Sequence, residues 1–315
     1  MTPYRVREAT LEDVPGIRAL FAKAYGQELP EEEWRWKFQK NPDGWFGMVA
    51  ESEGRIVGNF AGWPMRFRLG GRERVVFSAG DVATEPSARG LSKTRNIYGD
   101  MAQAFYEAVR RRGVPFTFGF PHARAHAISN RLGGTRDFFP VREIHVPCEG
   151  FPAPPSDFGC SDFVSESFDD LWAQAAGHLP NTPARDRERT NWRFHARPTR
   201  YYRMIWRGTE QRWAAWAALS VIGERGLVAD YLGRDADGSD LPPLFAAAAA
   251  EARRLGARTL VFWKTPGGPA RRWLDQLPGE THDAGFHFIG RVFEEETARE
   301  FLEHGQFLPS IYDVV

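Results

Sequence analysis

The sequence is short of cysteine, with only Cys148 and Cys160 among 315 residues. That excludes a disulfide-built scaffold and any zinc site made of four cysteines. It predicts two unpaired thiols in a reducing cytosol. Net charge is missing too: 41 basic residues balance 41 acidic ones. A nucleic-acid coat or a polybasic membrane binder is therefore not expected. Long apolar runs are also absent. The longest, Leu244–Ala250 and Trp213–Leu219, fall far short of the roughly 20 residues that a spanning helix needs. The opening Met-Thr-Pro-Tyr-Arg-Val-Arg-Glu has no apolar signal-peptide core, so the sequence reads as soluble and cytoplasmic. Without G-x-S-x-G, a P-loop or G-x-G-x-x-G, the serine hydrolase, nucleotide hydrolase and dinucleotide-binding readings have no support.

Aromatic residues, in contrast, are plentiful: 14% of the chain, including eleven Trp. That much ring surface suits a large core and a deep, partly apolar cleft. The rings also mark an internal repeat. Trp36-Lys37-Phe38 is followed by Pro42, and Trp192-Arg193-Phe194 by Pro198. Trp45-Phe46 matches Tyr201-Tyr202 at the same offset. Thr10-Leu11-Glu12-Asp13-Val14 parallels Ser167-Phe168-Asp169-Asp170-Leu171, both helix-opening segments with early carboxylates. Arg112–Thr117 parallels Leu255–Leu260, each a helix end running into a strand. Four matches in one order argue for two copies of one α/β unit. The Pro-rich segment Pro147–Pro155 excludes helix and sets the boundary. The expected domains are residues 1–147 and 156–315, with 148–155 as linker.

In the first copy, alternation predicts strands over Tyr4–Ala9, Gly47–Glu51, Ile56–Phe67, Arg74–Thr84, Phe116–Phe120 and Arg136–Val146. Helical spacing predicts helices over Leu11–Ala24, Glu31–Gln39, Ile97–Arg112 and Ala123–Leu132. The first copy is thus expected to close with its own strand Arg136–Val146. Ala246–Ala250 reads as a packed helix. Trp34, Trp36, Trp45, Trp192, Tyr201, Tyr202 and Trp206 read mainly as core. Any of these rings lining a groove would suit a sugar-like or aromatic ligand.

This order, with particular residues, resembles the GNAT acetyltransferase superfamily. Val6–Asp13 is similar to the family's first strand and helix start. Val82-Ala83-Thr84-Glu85-Pro86-Ser87-Ala88-Arg89-Gly90 is similar to its fourth strand entering the pyrophosphate loop. Gly119-Phe120-Pro121-His122, followed by Arg131-Leu132-Gly133, is similar to its fifth strand and the next helix. The resemblance covers nearly all of the first copy. It implies tandem GNAT-like folds, each a mixed β-sheet flanked by helices, with the second copy degenerate.

It also implies an acetyl-CoA or other acyl-CoA co-substrate, a small-molecule amine acceptor, and no metal. The family's pyrophosphate pattern falls on Arg89-Gly90-Leu91-Ser92-Lys93-Thr94, with Ser92 and Thr94 where glycines are usual. Arg89, Lys93 and Arg95 add three cations for a phosphate. Backbone N–H groups of Val82, Ala83 and Thr84 are the implied donors to the thioester carbonyl, provided the family bulge is present. His122 takes the slot where the family usually has Asn. On Val75–Glu85 the two-residue period puts Phe77, Ala79, Asp81, Ala83 and Glu85 on one face. Asp81 and Glu85 are the candidate bases, Asp81 ranked first because Gly80 before it leaves room. The family's usual Tyr acid is absent from Pro121–Gly134. Its slot holds Ser129, and Ser129, His126, Tyr98 and water stay open as the acid.

His122 and His126 lie at i, i+4, but no third metal ligand is spaced nearby in sequence. In the second copy, Ala229–Asp240 carries four Asp and one Arg, which opposes a pyrophosphate there. Two other readings remain: a degenerate member that binds CoA or a ligand without turnover, and a Fem-type aminoacyl transferase.

Overall fold

The computed structural model describes residues 4–26, 28, 30–88, 96–264, 267–306 and 308–311. Its contacts divide the chain into two compact units. Unit one comprises the chain up to Arg66, Val75–Phe139 and Phe286–Ala298. Unit two comprises Phe67–Arg74, Pro140–Gly285 and the chain from Arg299 on.

The first half of the chain supplies β1 (Arg5–Glu8), α1 (Val14–Tyr25), α2 (Glu31–Trp34), β2 (Phe46–Ser52), β3 (Arg55–Leu69) and β4 (Arg72–Thr84). These are followed by α3 (Ile97–Arg111), β5 (Phe116–Gly119), α4 (Ala123–Ile128) and β6 (Arg136–Pro147). In unit one the strand order is β1-β2-β3-β4-β5, with Phe286–Val292 antiparallel beside β5. Helix α3 is amphipathic. Its Met101, Ala102, Phe105, Tyr106 and Val109 are buried against Phe46, Met48, Val57, Phe60 and Phe77 of the sheet. Phe105 lies 5.0 to 6.0 Å, centroid to centroid, from the rings of Phe46, Phe60 and Phe77. Truncating such a side chain costs about 3–5 kcal/mol. The opposite face carries α1, with Ile17, Leu20 and Phe21 on Val49 and Ala83. It also carries α2, where Trp34 and Phe38 cover Ala61 and Trp63. At the start of the α1 segment, Asp13 accepts from the Thr10 N–H at 2.8 Å, and the Arg7 guanidinium grips its carboxylate in two 2.7 Å bonds.

The second half supplies β7 (Phe158–Ser161), α5 (Ser167–Ala175), β8 (Thr182–Pro183), α6 (Arg187–Thr190), β9 (Arg203–Thr209), β10 (Arg212–Ile222) and β11 (Arg225–Gly233). These lead into α7 (Leu241–Arg254), β12 (Thr259–Trp263), α8 (Arg271–Leu274), β13 (Glu280–Val292) and α9 (Glu295–His304). The sheet of unit two runs β6-β12-β11-β10-β9-β7. Helix α7 packs on its Ala215, Ala217 and Leu219 face, and α5 on its Trp213, Trp216 and Ala218 face. Ala246–Ala249 is a fully buried stripe of α7. Cys148 and Cys160 carry free thiols, and burial pushes the Cys160 thiol up to about 11. Among the described residues, no helix is long and apolar enough to cross a membrane.

Both units repeat one plan. In each, a strand runs into a long helix and then into a parallel strand: β4, α3 and β5 in unit one, β11, α7 and β12 in unit two. The repeated Trp-Lys/Arg-Phe motif forms one π-helical turn in each copy, Arg35–Gln39 after α2 and Asn191–His195 after α6. Trp34, Trp36 and Tyr202 are core, whereas Tyr201 is exposed.

The closing strand of unit one differs from the expected one. Arg136–Val146 is a strand, but from Pro140 on it belongs to unit two, where Glu143–Pro147 pair antiparallel with β12. The place beside β5 goes to Phe286–Val292 of β13, with Gly290 opposite Phe118. A Cβ at Gly290 would stand 2.0 Å from the Thr117 carbonyl oxygen, so this register requires glycine. The compact units thus differ from the sequence segments 1–147 and 156–315 at residues 67–74, 140–147 and 286–298.

Candidate active site

Strands β4 and β5 run parallel and pair only at Phe77–Thr117 and Ser78–Phe118. Gly119 ends β5 against the Ala79 carbonyl, where a Cβ would come within 2.9 Å. Beyond that point β4 continues to Thr84 beside β3 but without β5. In that stretch Asp81 adopts φ +48°, a left-handed conformation inside a strand, which costs a non-glycine residue about 1–2 kcal/mol. The Asn59 amide donates to the Asp81 carbonyl at 2.6 Å, replacing a ladder partner. The Tyr25 hydroxyl donates to the Val82 carbonyl.

This kink resets the alternation along β4. Phe77, Ala79 and Val82 pack toward α3, whereas Ala83 packs on α1. The expected single face of Phe77, Ala79, Asp81, Ala83 and Glu85 is therefore corrected. A left-handed residue at 81 shifts the period by one, as a β-bulge does. Asp81, Ala83 and Glu85 fall on the α1–α2 side, and Phe77 and Ala79 on the α3 side.

Asp81 does not stand alone. The Lys37 ammonium, on the π-turn after α2, lies 2.5 Å from its Oδ2, and the two side chains are only 5% and 15% exposed. The same ammonium sits over the Trp63 ring at 4.4 Å and the Phe38 ring at 5.4 Å from their centroids. Glu85 is paired more loosely, 3.4 Å from Lys23 and 3.8 Å from Arg55, both largely exposed. Lys37 is the residue that sequence reasoning passed over. Its signal was a cation at the centre of an otherwise aromatic motif, matched by Arg193, which is also buried.

On the α3 side, two candidate acids meet. The Tyr98 hydroxyl, in the first turn of α3, donates to Ser129 Oγ at 3.0 Å. Ser129 opens a π-turn, Ser129–Gly133, that prolongs α4. Gly133 makes room there, since a Cβ would lie 3.1 Å from the Tyr98 hydroxyl. Burial pushes Tyr98 above the ordinary tyrosine range, with the Ser129 bond opposing. Tyr98 and Val82 pack in the same cluster. His122 is exposed at the start of α4 and bridges to Phe286. Arg89, Gly90, Leu91, Ser92, Lys93, Thr94 and Arg95 lie outside the described residues. On the far side of that stretch, Asn96 caps α3 by accepting from the Gly99 N–H at 2.7 Å.

In unit two, the acidic stretch is only partly a loop. Asp230 lies within β11, buried and 2.9 Å from the Arg185 guanidinium. Asp240 is buried too and accepts from the Arg234 and Asp235 N–H groups. Asp235 and Asp237 are the two that face solvent. The reason is local: β11 continues to Gly233, so Asp230 lies inside the strand, paired with the buried Arg185 guanidinium. A cavity of about 300 Å³ in unit two, lined by Asp162, His195, Arg197, Arg200, Tyr201 and Tyr202, contains none of the candidate catalytic residues but two of the candidate groove rings, Tyr201 and Tyr202.

Comparison with known proteins gives the same answer as the geometry. The sequence model of the acetyltransferase (GNAT) domain matches residues 5–133. Curated proteins give no match by sequence. Among solved structures, a conserved protein of unknown function from Enterococcus faecalis, a probable N-acyltransferase, superposes with a TM-score of 0.71 at 12% identity, covering 94% of this chain and 74% of that one. A GCN5-related N-acetyltransferase from Kribbella flavida gives 0.70 at 14% identity, over 94% and 72%. The Saccharomyces cerevisiae N-myristoyltransferase with bound myristoyl-CoA gives 0.59 at 11%, over 93% and 83%. At these identities the likeness is one of fold. Residues 5–133 thus match the acetyltransferase (GNAT) domain model, and the fold is that of N-acetyltransferase structures.

Proposed function

We propose that the protein is an acyl-CoA-dependent N-acyltransferase that moves an acetyl or related acyl group to an amine of a small molecule. The observation that carries this reading is the parting of β4 from β5 beside the left-handed kink at Asp81. A parallel pair that separates leaves backbone amides facing a gap, which suits an extended thioester chain.

In this reading the cations of Arg89, Lys93 and Arg95, with the N-terminus of α3, hold the pyrophosphate. The N–H groups of Val82 and Ala83, with Thr84 beside them, polarise the thioester carbonyl. The acceptor nitrogen forms the new C–N bond as the C–S bond breaks. Tyr98, through its bond to Ser129, returns a proton to the departing sulfur. The proton lost by the acceptor ammonium goes to a carboxylate. The Asp81 carboxylate is already engaged by the buried Lys37 ammonium at 2.5 Å. We therefore assign the base to Glu85, whose partners are exposed and screened by salt, and give Asp81 the task of fixing the kink. His122 stands at the start of α4 as a polar contact for the donor. Unit two carries no reaction of its own in this reading.

Thiol release from acetyl-CoA and longer acyl-CoAs, measured against a panel of small amines, tests the reading. Calorimetric CoA binding is measured alongside. Arg89→Ala is expected to weaken CoA binding by about 1.5–3 kcal/mol, the worth of a hydrogen bond to a charged group. Unchanged affinity removes the pyrophosphate assignment. CoA binding with no thiol release for any amine supports a ligand-binding member instead.

A further inference from the structure

Along the chain, His126 has no third metal-ligating partner within reach. The fold of unit one supplies two partners. We propose that His126, Asp137 and His287 form a binding site for a divalent transition-metal ion. His126 projects from α4, Asp137 from the first turn of residues in β6, and His287 from the segment of β13 that closes unit one. Each offers one ligand atom, and all three atoms lie within 4.8 Å of one another.

The donor set fits such an ion. Two imidazoles and one carboxylate suit zinc and its first-row neighbours, and three protein ligands leave a position for water. The imidazoles of His126 and His287 are parallel within 3°, with centroids 4.2 Å apart. An ion about 2.1 Å from each donor needs donors roughly 3–4 Å apart. Convergence on one ion requires the two imidazoles to turn out of this stack and His126 to part from Asp137, which is half exposed.

The surroundings orient these ligands. The Thr135 hydroxyl donates to Asn130 Oδ1 at 2.8 Å, which fixes the Asn130 amide with its NH₂ facing the cluster. That NH₂ stands 3.1 Å from His126 Nε2 and 3.2 Å from Asp137 Oδ2. His126 Nε2 also lies against Asp137 Oδ1. A Thr-Asn pair holding a His and a carboxylate is the kind of outer shell that metal ligands have.

Loading the site would tie α4 and the start of β6 to the distant β13. Ser129 lies one helical turn beyond His126, so the ion would also steady the Tyr98–Ser129 pair.

The test uses the full chain without a histidine tag, stripped with EDTA and dialysed. Zn²⁺ is titrated against a chromophoric chelator, Co²⁺ is followed by its visible d–d bands, and the melting temperature is read with and without metal. One equivalent is expected to bind with sub-micromolar affinity and raise the melting temperature. His287→Ala is expected to weaken binding at least about 100-fold, and Asn130→Ala about 10-fold. Circular dichroism of the stripped proteins checks folding, and Asn130→Ala decides if His287→Ala does not fold. Affinity no better than millimolar for Zn²⁺ and Co²⁺ overturns the proposal. So does binding that survives both substitutions unchanged, which leaves the cluster as a hydrogen-bonded His–Asp pair.

Discussion

The Lys37 ammonium is held 2.5 Å from the Asp81 carboxylate and 4.4 Å from the centroid of the Trp63 ring. One charge pair thus joins the π-turn after α2 to the kink of β4, in a setting that excludes water. Removing one partner of a buried pair strands the other charge, so Lys37→Met is expected to cost about 3–5 kcal/mol in unfolding free energy. The double variant Lys37→Met, Asp81→Asn should recover much of that loss. Urea denaturation of the three proteins reads it. Equal loss in single and double variants would show that the pair itself is not what the fold depends on.

The two carboxylates of β4 should separate in kinetics. With a responsive amine, Glu85→Gln is expected to lower kcat by about 10²–10⁴ while CoA affinity stays within twofold. Asp81→Asn should lower stability and kcat together. A turnover loss confined to Asp81→Asn, in a protein of normal stability, would return the base to Asp81.

Tyr98 offers a pH signature. Burial holds its hydroxyl above the ordinary tyrosine range, so the hydroxyl stays protonated through neutral and mildly alkaline pH. If it is the acid, kcat should hold level up to about pH 10, the ordinary tyrosine value. Tyr98→Phe should then slow turnover, and Ser129→Ala should do so less. An alkaline limb unchanged in position and height in Tyr98→Phe would assign the proton to water.

Asp13 predicts a pH dependence of stability. The hydrogen bonds from Arg7 hold its carboxyl below the usual carboxylate range. A group whose pKa is depressed by folding stabilises the native state above its unfolded value, near 3.9, and loses that contribution as pH falls through the folded value. Asp13→Ala is expected to cost about 1 kcal/mol at pH 7, as for a lost helix cap. The gap between the two proteins should close in acid. Denaturant midpoints across that range measure it.

Much of unit one was legible because its signals are local. Strand alternation and the helical spacing of α3 each act within a few residues, and the strands and helices lie within a few residues of where they were expected. The Trp-Lys/Arg-Phe repeat was visible, but its central cation was not read as a partner. Nothing in the sequence places Lys37 next to Asp81, since the contact spans two elements and a sheet. The face of β4 was misread for the same reason. Period-two reasoning assumes an unbroken strand, and the left-handed turn at Asp81 is held by the Asn59 amide.

The sequence by itself determined the α/β plan in two copies and the candidate carboxylates Asp81 and Glu85, and it left Ser129, His126, Tyr98 and water open as the acid. Each of these depends on residue type and short-range spacing. The tertiary structure alone decided that Tyr98 and Ser129 share one hydrogen bond, that Asp81 is neutralised, and that Phe286–Val292 closes unit one. It also gathered His126, Asp137 and His287. These are pairings between distant segments, and chain order carries no information about which apolar strand or polar side chain wins such a contact. Packing, register and the cost of leaving a charge unpaired select it.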